Sequence, residues 1–294
     1  MNKPFIEEDF ISALNAVLRQ FYPKFKLRIS RVSSSEEKKL GYDGEVHYLK
    51  PIFIQFKRSA FFDTTYTGKY KKARKALTIP YTSFYSFKLH KNSSAKTVQD
   101  IHIQHNMLFN LSQSEEAFYL APLFHTKSEL DDFNFSIHHS MPGRFNYDIY
   151  DGTYHSKSYI DDLIFSNTIG VKPHKIINDK DNHCYTYDDT LKVAFHSQPE
   201  SLENNGFNIM SFFNNINADD NKKYSAIKTF RTVEKICLES KLNFWTDIDF
   251  LSEFHFSEKI NRKNLESEDY KKLGILIEYY LKDHFNIDQY VLLG

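Results

Sequence analysis

Apolar residues recur at helical spacing near the start of the chain, where Ile6, Phe10, Leu14, Val17 and Phe21 form a stripe widened by Ile11 and Leu18. Pro4 suits a first helical position and Glu7, Glu8 and Asp9 suit the positive end of the dipole, so the pattern predicts a helix over 4–21. At about 100° per residue, Glu7 falls inside the stripe between Leu14 and Leu18, whereas Glu8 and Asp9 point away. One carboxylate is therefore expected to face inward.

The period then changes from helical to alternating. Residues 43–48 and 52–58 read as strands, and Leu49-Lys50-Pro51 between them reads as a turn, which predicts a hairpin. In the second run Ile52, Ile54 and Phe56 alternate with Phe53, Gln55 and Lys57, giving one apolar face and one that carries polar groups. A turn centred on Lys50 sets Asp43 opposite Lys57 and Glu45 opposite Gln55. Further on, the pattern predicts a basic helix over 64–76, a strand over 81–89, a helix over 99–111 and a buried strand over 117–124.

From 131 to about 205 the chain is polar and turn-rich, with short strands expected at 184–187 and 191–195; helices are expected over 221–241 and 266–284. This order is α/β. A soft boundary near residue 135 divides the chain into an α/β domain, 1–135, and a mixed, then mostly helical domain, 136–294, suited to recognition or association. No internal repeat is visible.

Composition adds limits rather than a direction. With 41% apolar residues in 294, and only 9 Gly and 8 Pro, the chain has the material for a packed core. The 27 Phe and 19 Tyr read as the codon bias of an AT-rich genome. The start of the chain has no apolar signal segment, and no apolar run approaches a membrane span of about 20 residues, so no membrane partner and a cytoplasmic location are expected. Cys184 and Cys237 are expected to be reduced thiols, remote from each other and from any zinc-type spacing. Phosphate-cradling, dinucleotide and nucleophile-elbow glycine motifs are all missing, which removes the anchors for those enzyme classes.

Basic and acidic residues balance, 38 against 38, so a nucleic-acid partner must be met by a local patch. Lys69, Lys71, Lys72, Arg74 and Lys75 supply one, five cations in seven residues around Tyr70 and shortly after Arg58. Histidines do not make a comparable case. His102 and His105 lie three apart, and His183 and His196 follow, without a metal-binding helix motif; His105 is expected to be a packed, hydrogen-bonded core residue. A base role for His125, at a strand end, has no motif behind it.

The stretch Gly41-Tyr42-Asp43-Gly44-Glu45, followed by Ile52-Phe53-Ile54-Gln55-Phe56-Lys57-Arg58, resembles the active-site core of the PD-(D/E)xK nuclease superfamily, in its Mrr-like restriction-endonuclease version with Gln-x-Lys. The motif rests on Asp43, Gln55 and Lys57; the arrangement extends over roughly residues 1–125. The resemblance implies a restriction-endonuclease-like mixed sheet flanked by helices and a divalent-metal-dependent endonuclease acting on DNA, with RNA as the alternative, in restriction or anti-phage defence. It implies Mg2+ or Mn2+ held by Asp43, the Gln55 side-chain carbonyl and the Phe56 backbone carbonyl, with Glu7 completing the shell or binding a second ion through water. Lys57 would hold the attacking water. Hard oxygen donors are what such cations prefer, and a bound cation both neutralises phosphate charge and acidifies water. The rival readings are a non-catalytic nucleic-acid-binding module and a protein-interaction subunit keeping the same fold. A homo-oligomer or a separate sensor subunit is a further partner the reading admits.

Overall fold

The computed structural model describes residues 3–20, 28–31, 49–80, 82–131, 164, 167–202, 204–215, 226–257, 260 and 267–293. Along these, the chain runs α1 (Glu7–Gln20), β1 (Arg28–Arg31), β2 (Leu49–Phe56), β3 (Ala60–Phe62), α2 (Lys69–Ala76), β4 (Phe84–Lys88), α3 (Val98–Ile101), α4 (Ile103–Ser112) and β5 (Glu116–Pro122). It continues through β6 (Thr168–Val171), β7 (Cys184–Tyr187), β8 (Val193–His196), β9 (Glu200–Leu202), β10 (Gly206–Asn208), α5 (Ile209–Asn215), α6 (Ala226–Glu239), α7 (Phe244–Phe256), α8 (Ser267–Phe285) and β11 (Asp288–Leu293). The class is mixed α/β with two sheets: six strands in the order β1-β11-β2-β5-β6-β10, and five in the order β3-β4-β7-β8-β9.

Strand β2 is the organising element of the larger sheet. Its apolar side, Ile52, Ile54 and Phe56, is buried with Phe10 and Leu14 of α1, Phe118 and Leu120 of β5, and Tyr290 of β11. Phe53 belongs to the second core, with Leu108 and Leu111 of α4 and Leu276, Ile277 and Tyr280 of α8. A strand covered on both faces needs apolar side chains on both, and this explains why 52–56 is so rich in them. In α1, Phe10, Ile11, Ala13 and Leu14 are buried, but Ile6 is 55% exposed, so the stripe begins one turn later than the periodicity suggests. Phe5 fills the earlier place, its ring 5.3 Å from that of Phe124.

The expected turn at Lys50 is overturned. Leu49, Lys50 and Pro51 lie within β2, paired antiparallel with Leu293, Leu292 and Val291 of β11, and the other edge of β2 pairs parallel with β5. Both edges of the strand are thus occupied by partners from far along the chain. The register opposing Asp43 to Lys57 and Glu45 to Gln55 depended on that turn; residues 41–48 lie outside the described residues. Pro51 is tolerated because pairing with β5 begins only at Ile52, leaving β2 with a neighbour on one side there.

Parallel pairing of β2 with β5 is reached through α3 and α4, the crossover that parallel strands require. The expected helix over 99–111 is broken at His102, whose backbone (φ −112°, ψ 34°) leaves the helical region between α3 and α4. Elsewhere β7 begins and ends as expected, β8 lies two residues later in its start, and α6 and α8 fall inside or close to their expected limits. The boundary near residue 135 does not fall between the sheets, since each takes strands from both sides of it. Residues after it contribute β6 to β10 first, then α5 to α8, and finally β11, which returns to the larger sheet. No helix among the described residues is long and apolar enough to cross a membrane.

Candidate active site

At the carboxyl ends of the parallel strands β2 and β5, where open α/β sheets offer room for ligands, the chain leaves the sheet and opens a cleft of about 1110 Å³. Lys57 stands at its base. Its backbone N–H donates to the Leu120 carbonyl at 2.9 Å, extending the pairing with β5 by one residue. Its side chain is only 8% exposed, with Nζ 5.5 Å from the centroid of the Tyr119 ring. Burial pushes the Lys57 ammonium down to about 8, against the opposing pull of the Glu7 carboxylate. None of the described residues forms a hydrogen bond with Nζ.

Glu7 reaches the cleft from the first turn of α1. Asn286 donates from Nδ2 to Glu7 Oε1 at 3.0 Å, and so ties α1 to the connection between α8 and β11. Asn286 has φ of 52°, the left-handed conformation that ends many helices and that Asn tolerates better than most residues. The inward placement expected for Glu7 is therefore met at half-burial, on the cleft rather than in the apolar core.

Gln55 shares the polar side of β2 with Lys57 but lies deeper and does not line the cleft. Its Nε2 donates to the Phe285 carbonyl at 2.9 Å and to Gln104 Oε1 at 3.2 Å. A backbone carbonyl only accepts, which fixes the orientation of the amide and leaves Gln55 Oε1 as the acceptor without a described partner. The same bond satisfies a carbonyl at the end of α8, a structural role in its own right. Phe56 packs its ring against Phe10 and Tyr290, on the face opposite Lys57. Asp43 lies outside the described residues.

The basic helix divides. Lys69, Lys72 and Lys75 are exposed, but Lys71 and Arg74 are buried, contrary to a fully solvated cationic face. Lys71 donates to the Thr64 carbonyl. Arg74 pairs with Asp188, donates to Thr186 Oγ1 at 3.1 Å and lies 5.1 Å from the centre of the Phe84 ring. Period decides this split: positions 71 and 74 fall three apart, on the side of the helix that meets the five-stranded sheet. Arg58 is exposed and lines the cleft, and Tyr70 brings α2 to its wall.

Comparison with protein-family models, with curated proteins and with solved structures gives no match.

Sequence reasoning missed Gln104, Lys88, Asn286 and the relation of His125 to the cleft, which all four line. None has a local signal, because each arrives through pairing or packing with a distant element. His125 stacks on Phe61, centroids 5.0 Å apart, with Nδ1 3.3 Å from Glu129 Oε2. His105 is the packed core residue expected of it: it donates from Nε2 to the Lys175 carbonyl at 2.8 Å, accepts from the Tyr119 hydroxyl at Nδ1, 2.6 Å, and burial pushes its pKa down to about 3.

Proposed function

We propose that this cleft hydrolyses phosphodiester bonds of nucleic acid, DNA in the first place, within a restriction-endonuclease-like fold serving restriction or anti-phage defence. The observation that carries the reading is Lys57, a buried ammonium at the carboxyl end of a central strand, with a carboxylate as neighbour and no hydrogen-bond acceptor among the described residues. Burying such a group costs stability, and groups held this way concentrate where a site uses them. With its pKa brought to about 8, Lys57 carries a neutral fraction near physiological pH and is suited to hold a water and to exchange a proton with it.

The donor types suit a hard cation: Glu7 offers a carboxylate in the cleft, and Gln55, deeper on the same side of β2 as Lys57, an amide oxygen without a described partner. Glu7 and Gln55, with Asp43 and the Phe56 carbonyl as the resemblance implies, would hold Mg2+ or Mn2+, which supplies charge neutralisation at the phosphate and acidification of bound water. Arg58 at the rim, and Lys69, Lys72 and Lys75 on α2, are the exposed cations available to the phosphate backbone.

A non-catalytic nucleic-acid-binding module is the second reading, favoured by the engagement of Gln55 with the end of α8. Plasmid cleavage in Mg2+ or Mn2+, set against the chelated protein and against Lys57→Met, decides between the two. Cleavage that needs the metal and Lys57 supports the first; salt-sensitive binding with no cleavage supports the second.

A further inference from the structure

A second group of donors stands apart from the cleft, and none of its members lines it. His102, at the break between α3 and α4, meets Asp179 and His183 from the approach to β7, with one ligand atom of each residue lying within 4.8 Å of the others. The two imidazoles are close to perpendicular, their centroids 4.8 Å apart. We propose that His102, Asp179 and His183 bind a late first-row divalent ion of the zinc class, cross-linking the α3–α4 junction to the loop before β7.

Each residue already has the outer support that such ligands need. His183 sets Nε2 2.6 Å from Asp179 Oδ1 and Nδ1 2.9 Å from Ser197 Oγ, so one ring nitrogen faces the cluster while a hydroxyl holds the other. His102 has zero exposure, and its Nε2 lies 3.1 Å from the Asp181 carbonyl. Backbone carbonyls bonded to an imidazole fix its orientation, as in histidines that ligate metals. Asp179 is held by the Asp181 N–H at 2.8 Å. A histidine–aspartate hydrogen bond alone explains His183, but not the burial of a second imidazole against it.

Two imidazoles and one carboxylate favour zinc or its neighbours over Mg2+, which prefers oxygen throughout. Three protein ligands leave a position for water, and Asp179, with a side chain 45% exposed, gives solvent a route to it.

Cobalt(II) is the probe, added to the metal-free full chain and followed by visible absorption, with zinc displacement as the second readout. One equivalent should give the intense bands of a low-coordinate site, removed by one equivalent of zinc, and zinc should raise the Tm. Ser197→Ala should weaken binding by about 10–100-fold, and Asp179→Asn or His183→Gln by more. Asp179 is the most exposed ligand, so Asp179→Asn keeps the test open if a buried histidine variant does not fold. Glu7→Gln, in the cleft, should leave the bands unchanged. Absence of the bands in the unaltered protein, or their persistence in both Asp179→Asn and His183→Gln, would overturn the proposal.

Discussion

Arg74 and Lys57 are both buried cations, and they are held in opposite ways. Arg74 has a carboxylate, a hydroxyl and an aromatic face, and its partner Asp188 also accepts from the Thr190 and Lys192 backbone N–H groups at 3.0 and 3.2 Å. Lys57 has one carboxylate neighbour and the face of Tyr119. Burial lowers the pKa of both, opposed by Asp188 for Arg74 and by Glu7 for Lys57. A charge paired with a buried carboxylate and packed on an aromatic face maintains the fold. One facing open space in a cleft has capacity left for another molecule, and this contrast is why Lys57 anchors the proposed activity while Arg74 leaves the nucleic-acid patch.

The sharpest way to break the comparison is to remove each cation in turn. Arg74→Ala should destabilise by about 3–5 kcal/mol, because Asp188 is left buried and unpaired; denaturant unfolding measures it, and a loss below about 1 kcal/mol would reduce Arg74 to a surface-like pair. Lys57→Met should act the other way. Cleavage should fall by about 10²–10³-fold, as when one stabiliser of transition-state charge is removed, while stability holds or rises as the desolvated charge disappears. Undiminished cleavage would place the chemistry elsewhere.

The pH dependence of stability sharpens the same contrast. Folding lowers the Lys57 pKa from 10.5 to about 8, so between these values the unfolded chain binds more protons than the folded one. Stability attributable to Lys57 should therefore rise as pH climbs through that window, by up to on the order of 3 kcal/mol, and the rise should be missing from Lys57→Met. Matching urea-unfolding profiles for the two proteins at pH 7, 9 and 10 would contradict this. The smallest effect on stability belongs to neutralising Lys69, Lys72 and Lys75 together. As exposed residues they should change it by no more than about 0.5 kcal/mol. The salt dependence of DNA binding should nevertheless flatten, its logarithmic slope falling by about 0.9 for every phosphate that α2 no longer neutralises. An unaltered salt slope would make α2 purely structural.

What could be read in advance followed the reach of local pattern. Helix α8 buries Leu273, Leu276, Ile277 and Tyr280, the spacing that predicted it, and β5 is an apolar run covered on both faces. The break came at Lys50-Pro51, where turn chemistry and strand pairing compete and a partner from the far end of the described chain prevails. Helix α7 was missed for another reason: Phe244, Ile248 and Leu251 are buried, but Phe250 and Phe254 are 67% and 74% exposed, so its apolar residues form no single stripe. In the candidate site, Glu7, Gln55 and Lys57 lay within reach of periodicity. Gln104 and Asn286 did not, since no spacing along the chain foretells a neighbour delivered by α4 or by the connection between α8 and β11. The histidine cluster was hidden likewise, its members divided between a helix break and a loop.

The position of β11 between β1 and β2 has a consequence for biosynthesis. Strands β3 to β10 are all translated after β2 and before β11, so one edge of β2 waits for its permanent partner while all of them emerge from the ribosome. Pairing across such a sequence separation is slow to nucleate, and a waiting strand edge invites wrong partners meanwhile. Asn286 and Phe285, which hold Glu7 and Gln55, arrive with that same late segment. The cleft is consequently completed only once the α8–β11 segment has emerged, and a nascent chain stalled before it would carry Lys57 without Asn286 at the cleft and without the Phe285 carbonyl that holds Gln55.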